Sequence, residues 1–219
     1  MPDPSLLYAT DEAIKIRCSG DYDMLVPADQ VIAGGSDGSI LAASPWVLNS
    51  ASVRFDMSGV AAGNIVSIRL AAHTQPAHFA VVSVGTNSLT FRRVGMLAGQ
   101  GMAPATTNLT GLTFSVPTFR PQIEDVSYDL NRRYGINDDF ADRTAAFLYD
   151  PRELRQACVL TVLLRQYATE SRTKEGDFAA KIMVAKMELD EVLGRISVRF
   201  GELGQASEPT NRFSTRVRR

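Results

Sequence analysis

Two histidines, His73 and His78, are the only imidazoles in the 219 residues, and they stand together in HTQPAH. Imidazole titrates near neutral pH and ligates metals, so this pair is the first place to look for chemistry. A metal site also wants facing spacing and nearby carboxylates or thiolates. Here Pro76 intervenes and no Cys, Asp or Glu lies close in sequence, so both read as ordinary loop histidines. GGSDGS at 34–39 could cradle a phosphate, but it leads towards an apparent strand with no lysine beside it, and a β-turn loop is the expectation. Asp21 and Asp23, and the run Asn137-Asp138-Asp139, lack the alternating ligands and distal glutamate of a calcium loop. Turn and capping roles account for them. No Ser/His/Asp order, nucleophile elbow or paired-carboxylate spacing stands out. The chain is therefore read as a non-enzyme, with no catalytic residue, no metal ligand and no cofactor assigned.

The feature expected to be functional is the basic end. Of the acidic and basic residues, six basic and eight acidic fall in 1–119, thirteen and fifteen in 120–204, and four and one in 205–219. Arg212, Arg216, Arg218 and Arg219 interleave with Phe213 and Val217. That pattern fits a short segment that is unstructured alone and orders on a partner's surface or sheet edge. Four arginines give only modest, salt-sensitive affinity for nucleic acid. A net charge of −1 with 21% charged residues indicates neither disorder nor a general nucleic-acid binder. Cys18 and Cys158 lie in separate expected helices and read as buried free thiols of a reducing compartment. No secretion signal or run of ~20 apolar residues is visible, so a soluble protein made in a cytosol is expected.

The elements that must position these residues change along the chain. Thr10 or Asp11 can cap a short helix through Ile14 and Cys18, ended by Gly20, although DEAIKIR also alternates like a strand. Residues 29–119 hold ten of the glycines and few charges, with short β-like runs between turn signals, the pattern of a small barrel or sandwich. Strands are expected in SILAA, SVRFDM, NIVSIRL, HFAVVSV, SLTFRRV and LTGLTFSV, with a hairpin at Gly85-Thr86-Asn87. Gly95–Asn108 lacks periodicity and reads as a long mobile loop. Ile123, Val126, Leu130 and Tyr134 then switch to helical spacing, stopped by Gly135, and Phe140, Ala145, Phe147 and Leu148 make a further short apolar segment.

Asp150 to Ile196 reads as two helices joined by Thr173-Lys174-Glu175-Gly176. Asp150 suits the N-cap, Pro151 the first helical position and Glu153 a capping box. Leu154, Ala157, Cys158, Thr161, Leu164 and Ala168 form a stripe, and Val159, Leu160, Val162 and Leu163 extend it around the helix, as in helices buried on more than one side. Asp177 caps the second helix, with Phe178, Ile182, Ala185, Leu189, Val192 and Ile196 on one face. Full burial of five of these gives roughly 7–15 kcal/mol, less than the backbone entropy of so long a hairpin. It must pack on the rest of the chain or on another copy.

The fold class expected is α+β, a C-terminal helical region of three or more helices with a long α-hairpin plus an N-terminal small β barrel or sandwich. The division is 1–28 as an N-terminal arm or short helix, 29–119 as the β-rich domain, 120–204 as the helical domain and 205–219 as a basic flexible tail.

IEDVSYDLNRRYGIND, followed by the capped apolar helix, charged turn and second helix, resembles the head-to-tail connector (adaptor) proteins of tailed bacteriophages. The likeness covers roughly residues 120 to 203. It implies a virion structural protein of the neck, made in the host cytoplasm. It further implies a homo-oligomeric ring of about a dozen copies under the portal, extending the DNA channel. DNA would pass without sequence-specific binding, and no membrane is involved. Portal protein and a downstream tail or nozzle protein are the implied partners, the tail residues Arg212 to Arg219 reaching the portal. The large β region departs from the compact, mainly helical members. The competing reading is a β-barrel module that binds nucleic acid or peptide through Phe91-Arg92-Arg93, with the hairpin for dimerisation.

Overall fold

The structure, a computed structural model, describes residues 7–70, 75–136, 148, 151–173 and 178–198. It is α+β. Its described elements are α1 (Asp11–Arg17), α2 (Tyr22–Leu25), β1 (Val31–Leu41), β2 (Ser44–Asn49), β3 (Ile65–Arg69), β4 (Ala77–Val84), β5 (Ser88–Arg93), β6 (Leu109–Pro117), α3 (Arg120–Tyr134), α4 (Arg152–Thr173) and α5 (Phe178–Arg195). Thr10–Arg120 forms one compact unit; Met1–Ala9 and Pro121–Arg219 form the other. Among the described residues no helix is long and apolar enough to cross a membrane.

In the first unit the six strands close into an antiparallel barrel in the order β1-β2-β5-β4-β3-β6. Closure removes the unpaired edges that an open sheet would expose. Ile40, Leu48, Val66, Ile68, Phe79, Val81, Leu89, Phe91, Leu112, Phe114 and Val116 fill the interior. The expected hairpin is present: Gly85 N–H donates to the Ser88 carbonyl at 2.8 Å between β4 and β5.

GGSDGS and SVRFDM depart from expectation. GGSDGS is not a turn but the middle of β1, where the register against β6 shifts between Gly35 and Gly38. Such bulges bend a strand around a small barrel, and glycine lets another backbone come close. A Cβ on Gly38 would lie 2.8 Å from the Leu112 carbonyl oxygen. SVRFDM forms no strand either. Phe55–Met57 is a short 3-10 turn, and Phe55, fully buried, packs 5.7 Å from the Phe114 ring. Its large side chain is worth more as a plug in the core than as one tooth of a half-buried strand.

The capped helix at Thr10 is as the spacing predicts, the Thr10 hydroxyl accepting Ala13 N–H. Cys18 stands at its C-cap rather than inside it. Both α1 and α2 belong to the barrel's unit. Ile14, Cys18, Tyr22, Leu25 and Phe119 are buried, with Tyr22 edge-on to Phe119 at 5.6 Å.

In the second unit α3 buries Ile123, Val126, Ser127 and Leu130. Gly135 ends it with φ +66°, and Ile136 N–H reaches back to the Asn131 carbonyl, as in a Schellman cap. Residue 8 joins this unit: Tyr8 O–H donates to Asn131, Tyr8 N–H to Ser127, and Arg155 to the Tyr8 carbonyl. Arg165 on α4 bridges Asp125 and Asp129 on α3. Helix α4 begins one residue later than expected. Pro151 takes the N-cap position, its carbonyl accepting Arg155 N–H at 2.8 Å. Asp150, the 173–177 turn beyond Thr173, Asp177 and the Phe140–Phe147 segment lie outside the described residues.

Candidate functional site

Most of the apolar side chains of helix α4 are covered in the folded chain. Leu154, Ala157, Cys158, Val159, Leu160, Val162 and Leu163 are all buried, whereas Thr161, Leu164 and Ala168 are half-buried. Partial exposure of that stripe means burial centres a little to one side of the spacing read from sequence. The Cys158 thiol is pushed up to about 11 by burial, and it faces the Ser127 hydroxyl at 3.8 Å. It is a core thiol, not a nucleophile.

Helix α5 differs. Phe178, Ala185, Leu189 and Val192 are buried, and the Phe178 ring lies 5.8 Å from Tyr167 of α4. On its other side Met183, Val184 and Met187 are 61%, 52% and 66% exposed. Positions three and four apart share a helix face, so these side chains form one apolar patch. Met is a residue of adaptable interaction surfaces. This patch is an open apolar surface of the helical unit. It carries no chemistry beyond packing.

The barrel unit holds the titratable cluster. His78 lies in β4 rather than in a loop, and its Nε2 is 2.7 Å from Asp23 Oδ1 of α2. The carboxylate missing from the local sequence arrives from 55 residues upstream. The imidazole is only 11% exposed. Burial depresses its pKa, helped by the positive charge of Lys15, and Asp23 opposes both. Tyr22 meets the ring edge-on at 5.6 Å, and Lys15 Nζ lies 4.9 Å from the Tyr22 centroid while donating to the Ser19 carbonyl. The Tyr22 hydroxyl is buried with no hydrogen-bond partner among the described residues, and burial pushes its pKa far up. Cys18, pushed up to about 12 by burial, donates to the Ile14 carbonyl and is unreactive.

Ser67 of β3 is the cross-strand partner of His78. Asp23, His78 and Ser67 thus have the residue types of an acyl-transfer relay. Among the described residues the Ser67 hydroxyl makes no hydrogen bond, however, so the link from nucleophile to base is open. Among the described residues no group of three metal-ligating side chains gathers. His73 lies outside the described residues.

In the Phe91-Arg92-Arg93 cluster the aromatic ring is turned from solvent and both arginines are engaged. Phe91 is buried, as alternation requires. Arg92 pairs with Glu12 at 2.7 Å and donates to the Met96 carbonyl, and Arg93 donates to the Met102 carbonyl at 3.0 Å. With Gly95 N–H on Glu12, these bonds strap the 94–102 turn to the barrel. The first part of the segment expected to be mobile, up to Met102, is therefore bonded to side chains of β5 and α1. Arg212, Phe213, Arg216, Val217, Arg218 and Arg219 all lie outside the described residues.

No protein-family model, curated protein or solved structure matches this chain.

Proposed function

We propose that this protein is a structural ring subunit, a head-to-tail adaptor of a tailed phage in which about a dozen copies stand around the DNA channel. The observation that carries the reading is the outer face of α5. Met183, Val184 and Met187 remain open, whereas Leu154, Val159, Leu160, Val162 and Leu163 of α4 are buried. Contiguous exposed apolar side chains on a folded domain mark interaction surfaces. The order α3, α4, α5 supports the likeness drawn from IEDVSYDLNRRYGIND onward. In this reading the helical unit forms the ring body and the barrel contacts neighbouring tail or capsid components. The basic tail reaches the portal.

The test is the mass of the full chain by light scattering, alone and mixed with portal rings, with electron microscopy of the mixture. A ring seated on the portal is the expected result. A monomer in both samples overturns the reading. A chain lacking residues 205–219 should keep its fold and lose attachment.

A further inference from the structure

A groove of about 380 Å³ runs along the outside of the barrel, floored by β3 and β6. Its floor is a tile of four side chains. Ser67 stands opposite Ser115 and Arg69 opposite Thr113, and residues two apart on a strand share a face. Val66 and Ile68 fill the barrel interior, so the tile faces outwards. Neighbouring Cβ atoms in such a tile are about 5 Å apart across strands and about 7 Å along them.

Three observations on this tile point to a ligand. Arg69 is exposed and, among the described residues, makes no ion pair. Ser67 is 7% exposed and its hydroxyl has no hydrogen-bond partner among the described residues, an arrangement that costs free energy until something satisfies it. The rest of the lining is mostly apolar, with Val26, Pro27, Ala28 and Pro117, and it includes the carboxylate of Asp23, one oxygen of which meets His78. A guanidinium fork matched by hydroxyl donors is suited to two acceptor oxygens in one plane. The apolar lining suits an aliphatic side chain, and the Asp23 carboxylate suits an amide N–H.

We propose that this groove binds the C-terminal residue of a peptide chain, its free carboxylate on Arg69 and the hydroxyls of Ser67, Thr113 and Ser115. Rotation of Ser67 about χ1 turns its hydroxyl to the carboxylate. The aliphatic side chain lies against Val26 and Pro27, and the preceding peptide N–H donates to Asp23. The inference concerns the barrel unit alone and holds whatever the helices assemble into.

The test is a titration of the isotopically labelled full chain, followed by NMR, with acetyl-Gly-Ala-Val bearing a free carboxylate. The same peptide ending in an amide and isovalerate are run beside it. Saturable shifts at residues 67, 69, 113 and 115 are expected, with the free acid binding at least about tenfold tighter than the amide. Arg69→Gln, a change at an exposed side chain, should remove that difference while its circular dichroism matches the parent. Equal binding of acid and amide, unchanged binding by Arg69→Gln, or no binding at millimolar peptide overturns the proposal. Isovalerate binding as tightly as the peptide overturns the peptide assignment.

Discussion

Asp11 Oδ1 accepts the backbone N–H of Phe119 at 2.7 Å, joining the first turn of α1 to the chain leaving β6, 108 residues later. Its other oxygen accepts the Asn64 amide at 2.7 Å. One buried carboxyl therefore ties together the start of the barrel unit, the turn before β3 and the exit from β6.

Asp11→Ala leaves the Phe119 N–H and the Asn64 amide without their acceptor, and should destabilise the barrel unit by roughly 1–3 kcal/mol in urea denaturation. Burial raises the Asp11 pKa above 3.8, outweighing its hydrogen bonds to Phe119, Asn64 and Thr118. The folded state thus holds this proton more tightly than the unfolded chain. Its contribution is complete below 3.8 and fades as pH rises through the raised folded value. The gap between parent and variant should be wider at mildly acid pH than at pH about 8; an unchanged gap refutes the burial argument.

His78 runs the other way. Its pKa is depressed below 6.5 by burial and by Lys15, so the unfolded chain binds this proton more readily. Stability from this group is complete above 6.5 and is lost as pH falls through the lower folded value. In a His73→Gln background the remaining imidazole should titrate below 6.5, lower still with Asp23→Asn and higher with Lys15→Met. A normal midpoint that ignores both changes would place His78 in solvent.

Two glycines should respond with opposite signs. Gly38→Ala brings a Cβ to 2.8 Å from a backbone oxygen and 3.0 Å from the Phe114 ring, and should lower stability by about 1–3 kcal/mol. Gly194 lies in α5 with nothing within 4 Å of the added Cβ, so Gly194→Ala should raise stability by about 0.5–1 kcal/mol. Urea midpoints measure both, and like signs would contradict the packing described.

Met183→Lys with Met187→Glu changes two exposed positions and should alter monomer stability by no more than about 0.5 kcal/mol each. The same pair should abolish assembly on the ring-subunit reading. A variant that assembles as the parent does would remove α5 from the interface.

Local pattern alone was enough wherever the deciding interaction lies within a few residues. The Thr10 cap, the hairpin at Gly85-Thr86-Asn87, the α3 stripe and its stop at Gly135 are all of this kind. Each is set by a backbone hydrogen bond or by the 3.6-residue repeat, which sequence displays directly.

What tertiary structure decided depends on partners brought from far along the chain. Gly35 and Gly38 suggest a turn until β6 lies beside them and demands close backbone approach. His78 has no acid near it until α2 delivers Asp23. Arg92 and Arg93 look like a basic patch until Glu12 and the carbonyls of Met96 and Met102 take up their donors. Arg69 becomes part of a groove floor only because β6 sets Thr113 and Ser115 next to it. Sequence displays the period of an element and so which faces are apolar, whereas which residues meet across strands and helices follows from barrel closure.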